Sequence, residues 1–176
     1  MTTMAPNTGE TPRALVVRAE EVEHVPLPHG GGFGLLADAA ATGGALGANR
    51  LTLGTGADGA GPHLHTRSSE LFHVLDGTVE FLLGGTRTTV GAGGLVVVPP
   101  RMPHAFGAVR GSTAELLVVL TPGVDRFGYF RALGRAGRGA EGLAGLAGLA
   151  GLAAEQERYD VHFLDVPEWR RAPEAG

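Results

Sequence analysis

Between Leu51 and Thr121 the chain is cut into short runs rich in Val, Leu, Phe and Thr, each closed by glycine or proline. Residues 54–61, Gly77, Gly84-Gly85, residues 91–94, residues 99–103 and Gly111-Ser112 supply the breaks. Apolar runs this short and this regularly interrupted describe an antiparallel sandwich or barrel, because alternating βαβ units need helical stretches between their strands. The pattern predicts a strand from Glu70 to a turn at Gly77, then strands at 78–83, 86–90 and 95–98, the last ending at Pro99-Pro100.

The flanks are less regular. Residues 14–17 and 33–37 read as short strands. After Thr121-Pro122-Gly123 the period changes: Phe127, Phe130 and Leu133 recur every three residues, with Asp125 as N-cap and Gly134 as stop, which predicts a short amphipathic helix lying on the sheets. Residues 142–153 repeat Gly-Leu-Ala four times. Each glycine costs a helix about 1 kcal/mol relative to alanine, and a three-residue leucine period drifts around the helix surface, so this stretch reads as a linker or marginal helix. Tyr159, Val161 and Phe163 alternate as in a strand. The expected organisation is a tail at 1–13, a barrel with N-terminal strands and a C-terminal helix at 14–135, and a linker with a terminal strand at 136–176.

Composition narrows the chemistry. The 176 residues include 30 Gly and 11 Pro but no Cys, no Ile and no Lys, so all 14 basic residues are arginine. Absent cysteine excludes thiolate nucleophiles, disulfides and iron–sulfur clusters, and absent lysine excludes Schiff bases and Walker-type phosphate loops. A net charge of −4 without a basic stripe argues against nucleic acid as a partner. There is no apolar run near the roughly 20 residues that span a bilayer and no signal-like start, so the expectation is a cytoplasmic protein with no membrane partner. Gly54-x-Gly56-x-x-Gly59 has the form of a dinucleotide fingerprint but leads into a His-x-His strand where that fingerprint needs a helix. Ser68, Ser69 and Ser112 are the only serines, and none stands in a nucleophile elbow.

What remains concentrated is imidazole and carboxylate. His63 and His65 lie two apart, so on a strand they share a face, about 6.5–7 Å apart along the chain. The polar Thr66-Arg67-Ser68-Ser69 breaks the strand, after which Glu70, Phe72 and Val74 share the inner face; His104 follows the Pro99-Pro100 turn, with Phe106 on its own face. Three imidazoles and a carboxylate suit a divalent metal, and in an octahedral ion they leave two positions open for substrate or dioxygen. His24, His29, His73 and His162 read as non-ligands.

His63-x-His65-x4-Glu70-x6-Gly77 and Gly93-x5-Pro99-x4-His104 resemble the two motifs of the cupin family, at its usual separation, over about residues 45–135. The chain departs from the pattern at Ala57, Arg101 and Ala108, where the family often has Gly, Gly and Asn. The resemblance implies an all-β antiparallel jelly-roll (cupin) barrel in a single domain, with His63, His65, Glu70 and His104 holding one divalent transition metal: iron, manganese, nickel, copper or zinc. The strand before Thr121 and the helix after it are similar to the tail of bacterial quercetin-dioxygenase-like cupins. That similarity implies dioxygen-dependent opening of a small phenolic or enolic, flavonol-like substrate, with Glu70 as general base. A metal-dependent isomerase or cyclase and a non-catalytic small-molecule binder are the alternatives. Phe72, Phe81, Phe106 and Arg101 are candidate substrate contacts, the alternatives being core for the phenylalanines and a solvated turn for Arg101. A homodimer is expected, because the N-terminal segment and the Tyr159–Phe163 strand need a sheet to pair with.

Overall fold

The computed structural model describes residues 13–27, 30–136, 155–165 and 169. Ten strands follow in chain order: β1 (Glu23–Pro26), β2 (Gly32–Ala37), β3 (Gly47–Leu53), β4 (His63–Leu64), β5 (Ser69–Leu83), β6 (Thr86–Gly91), β7 (Leu95–Val98), β8 (His104–Ala108), β9 (Ala114–Thr121) and β10 (His162–Phe163). Helix α1 (Phe127–Ala136) follows β9, and the short α2 (Gln156–Tyr159) precedes β10. All pairings are antiparallel. One layer runs β1-β2-β3-β9-β5-β7, the other β6-β5-β8-β4-β10, and the two share β5. This is an all-β cupin-type fold whose sheet path stays open, with β1 and β10 at its ends.

The alternating side chains expected of half-buried strands place the core between the layers. On β9, Ala114, Leu116, Val118 and Leu120 point inward, beside Leu51 and Leu53 of the neighbouring β3. On β5 the inward set changes parity along the strand: Glu70, Phe72 and Val74 are buried in its first half, Val79 and Phe81 in its second. A bulge between Val74 and Asp76 makes the change, since one inserted residue moves every later side chain to the other face.

Gly77 therefore is not the turn that the sequence pattern predicts. β5 passes through it unbroken and leaves the pairing with β9 for that with β6 and β8. Its φ is +72°, and a Cβ there would sit 2.0 Å from the carbonyl oxygen of Thr113, so only glycine fits this corner.

Helix α1 covers one end of the core, with Tyr129, Phe130 and Leu133 buried and Phe130 stacked on Phe33 of β2 at 4.3 Å. Gly134 does not stop it. The helix continues to Ala136, and Gly134 instead lets it lie against β1, where a Cβ would meet Val25 Cγ1 at 2.3 Å. Asp125 does not cap it either. The amides of Arg126 and Phe127 donate to the Asp38 carboxylate at 2.7 and 3.2 Å, while Asp125 accepts from Ala40 N at 2.8 Å, in the 3-10 turn that Asp38 precedes. The two aspartates cap each other's helical segments, because each start lies nearer the other's carboxylate than its own.

Two expected strands change form. Residues 14–17 carry no regular structure, and Leu15, Val16 and Val17 are exposed; the run lacks the alternation that gives a strand one face to bury, and β1 pairs with β2 in its place. Tyr159 ends α2, and only His162 and Phe163 form a strand, which pairs with Leu64 and His63 of the same chain. Of the two segments whose pairing motivated the homodimer, the terminal strand pairs within the chain, while residues 14–17 form no strand. The Gly-Leu-Ala repeat lies outside the described residues.

Candidate metal centre

Three strands and one loop bring the four side chains together. β4 carries His63 opposite His104 of β8, the loop after β4 carries His65, and β5 presents Glu70 between β7 and β9. All four are buried, and their ligand atoms lie within 4.8 Å of one another. Glu70 Oε2 is 2.9 Å from both His65 Nε2 and His104 Nε2, and 3.9 Å from His63 Nε2.

The hydrogen bonds on the far side of each ring decide what these contacts mean. His63 Nδ1 faces Gly61 O at 2.8 Å, His104 Nδ1 faces Met102 O at 3.0 Å, and His65 Nδ1 faces Asp160 O at 2.5 Å. A carbonyl only accepts, so each Nδ1 carries the proton and each neutral ring turns an Nε2 lone pair toward the Glu70 carboxylate. Lone pair against lone pair at 2.9 Å is repulsive unless a cation stands between them. At His63 a proton supplies that cation poorly, since burial, then the neighbouring His104, push it down to about 4. Burial also opposes the charge on Glu70, but the facing His65, with His104 and His63 beside it, overrides this and holds the carboxyl well below its ordinary range. Carbonyl-anchored Nδ1 atoms and converging Nε2 atoms are the arrangement that holds a metal-binding histidine in its tautomer. The donor set fits one divalent ion.

A cavity, open to solvent at its mouth, lies on His63 and Glu70. Leu51, Phe106, Val118, Phe130 and Phe163 give it mostly apolar walls, and Asn49, Arg126 and Tyr129 add polar groups. Gly59 lies flat on Phe106, where a Cβ would come within 2.3 Å of the ring. Of the four candidate substrate contacts, the structure puts Phe106 in this wall and leaves three outside it. Phe72 and Phe81 are wholly buried and pack on each other at 5.3 Å, with Phe72 backing His104 at 6.1 Å, because the inward face of β5 at these positions meets the core beneath the cluster. Arg101 is exposed on the turn before β8, with φ +67°, and its amide donates to His65 O at 2.6 Å. The left-handed backbone there explains why glycine suits this position in the family motif.

Among the described residues expected to be non-ligands, His24 is exposed, His73 bonds to Gly94 O through Nδ1, and His162 lies beside Asp160; His29 is outside the described residues.

Two important residues escape the motif reading. Arg126, at the start of α1, is 9% exposed and puts NH1 3.6 Å from Glu70 Oε1. Asp160 is fully buried 95 positions beyond His65, and besides its carbonyl contact to that ring its carboxylate accepts from Thr66 N, Thr66 Oγ1, Arg67 N and Ser68 N at 2.7–3.2 Å. Burial works against its charge, and these donors override it, lowering its carboxyl from the ordinary range. The C-terminal strap (residues 155–165) thus grips the loop carrying His65, with Leu164 N donating to Pro62 O at 2.9 Å and Phe163 against His63 at 5.9 Å. The one available signal was a lone aspartate between Tyr159 and Val161.

A protein-family model described as "Cupin domain" matches residues 49–120. No curated protein is similar enough to count as a relative. Among solved structures, an RmlC-like cupin from Shewanella frigidimarina aligns with TM-score 0.54 at 20% identity, over 66% of this chain and 96% of its own. A protein described as a predicted oxalate decarboxylase from Thermotoga maritima aligns with TM-score 0.53 at 23% identity, over 61% and 98%. The polyketide cyclase RemF from Streptomyces resistomycificus aligns with TM-score 0.51 at 22% identity, over 62% and 80%. At these identities the likeness is one of fold. No helix among the described residues is long and apolar enough to cross a membrane. The matched span, the shared fold and the cluster of three histidines and one glutamate together make the core of this chain similar to the cupin superfamily.

Proposed function

We propose that this protein is a metal-dependent dioxygenase acting on a small, largely apolar phenolic or enolic molecule. The observation that carries the reading is the junction of an apolar cavity with one edge of the four-residue cluster, so that a bound molecule meets Glu70 and His63 directly. Fold relatives named for a cyclase and a decarboxylase support an enzyme rather than a passive binder.

His63, His65, Glu70 and His104 would hold the ion, which supplies positive charge for a substrate oxygen and, where it is iron, manganese, nickel or copper, a route for electrons to dioxygen. The protein's own part is positioning and proton transfer. Glu70 Oε2 faces the imidazoles while Oε1 faces Arg126, which leaves Oε1 to take the proton of a substrate hydroxyl. Phe106 and Phe130 exclude water from that transfer.

Oxygen uptake by metal-loaded protein across a panel of flavonols and simpler enols tests the reaction. Uptake with a redox-active metal, absent in zinc-loaded protein and in His104→Ala, is expected. No uptake with any of the four redox-active metals refutes the dioxygenase, and anaerobic turnover by the zinc form would establish the isomerase or cyclase alternative in its place.

A further inference from the structure

We propose that the molecule bound in this cavity is an organic anion: a ring-sized apolar body bearing a carboxylate, which Arg126 receives. The inference rests on the preceding section for the cavity being the substrate's and goes beyond it in naming the charged group. A guanidinium has five N–H donors, yet among the described residues no acceptor lies within hydrogen-bond distance of the Arg126 side chain. Nε is buried without a partner, and NH1 stands 3.6 Å from Glu70 Oε1. A charge this deeply withdrawn from water ordinarily meets an acceptor.

The setting holds the group in place rather than letting it escape. The Arg126 amide is fixed to Asp38, and the guanidinium lies 5.2 Å from the Phe130 ring centroid and 5.8 Å from that of Tyr129. Those ring faces attract the cation without using its N–H donors. Glu70 cannot serve it fully, because Oε2 is committed to the imidazoles and, with a metal bound, its charge is shared with that ion. One carboxylate set against a divalent ion and a guanidinium leaves the cavity with excess positive charge, and the missing partner is an anion. The fork of a guanidinium matches the two oxygens of a carboxylate, and the walls formed by Leu51, Val118 and Leu133 suit the apolar remainder.

Calorimetry on the zinc-loaded full chain tests this with 2-naphthoate and its neutral isostere 2-naphthamide. Wild type is expected to prefer the carboxylate by about tenfold or more, the worth of one charge-assisted contact. Arg126→Met should abolish the preference with zinc content unchanged, and Arg126→Lys, which keeps charge without the fork, should retain part of it. Equal binding of the two probes by wild type overturns the proposal. So does a full preference that survives in whichever of Arg126→Met or Arg126→Gln loads zinc normally, since the metal alone would then hold the anion. The readout needs no turnover, so a failed oxygen-uptake panel ends the dioxygenase and leaves this result standing, while indifferent binding here leaves oxygen uptake untouched.

Discussion

Replacing Asp160 by alanine removes one carboxylate and strands a whole loop. Three consecutive backbone amides, those of Thr66, Arg67 and Ser68, lose their acceptor, as does the Thr66 hydroxyl. A hydrogen bond to a charged group contributes about 1.5–3 kcal/mol, but these four share one carboxylate and water would replace part of what is lost, so the expected cost is about 3 kcal/mol of stability. Asparagine is no remedy, because its NH2 would face amide donors where Oδ2 accepts two. The same change frees the backbone whose carbonyl fixes His65 Nδ1. Losses of outer support of this kind typically lower metal affinity 10–100-fold. Zinc competition against a chromophoric chelator, with melting curves of loaded and chelated protein, reads both effects. If Asp160→Ala binds zinc as tightly as wild type, the C-terminal strap does not organise the site and the reasoning fails.

Gly77→Ala is expected to lower stability by about 3 kcal/mol or more, because the new Cβ meets the Thr113 carbonyl at a positive φ; a melting temperature unchanged from wild type would contradict the corner assigned to it. Arg101→Gly should do the opposite on a smaller scale, raising stability by roughly 0.5 kcal/mol as the left-handed backbone is relieved, with metal content unaltered. Tyr129 has a raised pKa, chiefly through burial, with Arg126 lowering it and Glu70 raising it. Its unfolded counterpart ionises near the ordinary value of about 10, so its contribution to stability is complete below that pH and is lost as the pH climbs through the folded value. The wild-type minus Tyr129→Phe difference in tyrosinate absorbance should appear only above pH 10, and a difference centred below it would show the ring to be open to water.

The sequence pattern was legible where partners lie close along the chain and opaque where they do not. Alternation placed β7 at Leu95–Val98 to the residue, and the spacing of His63, His65, Glu70 and His104 announced a cluster that the fold assembles. Gly77 misled because a turn and a corner where a strand switches sheets use the same residue and the same positive φ. The exchange of caps between Asp38 and Asp125 is invisible locally, since each aspartate stands where its own helical start would want it. Arg126 and Asp160 were hidden for the same reason: what makes each important is a partner more than 50 residues away, Glu70 for one and Thr66 for the other. The contrast between Phe106 and its neighbours Phe72 and Phe81 depends on which side of the cluster a ring lies, and parity alone cannot tell the two sides apart.

The strap that grips the His65 loop also sets a clock. Residues that must meet across more than 90 positions close late, because loop-closure entropy opposes them until most of the sheet exists to receive them. On a ribosome, β3 to β9 can pair while Asp160 has yet to be made, so the sheets precede the finished metal loop. An ion arriving early would find His63, Glu70 and His104 on their strands but His65 on a loop not yet fastened. Tight binding of an ion at this cluster would therefore await the strap that fastens the His65 loop.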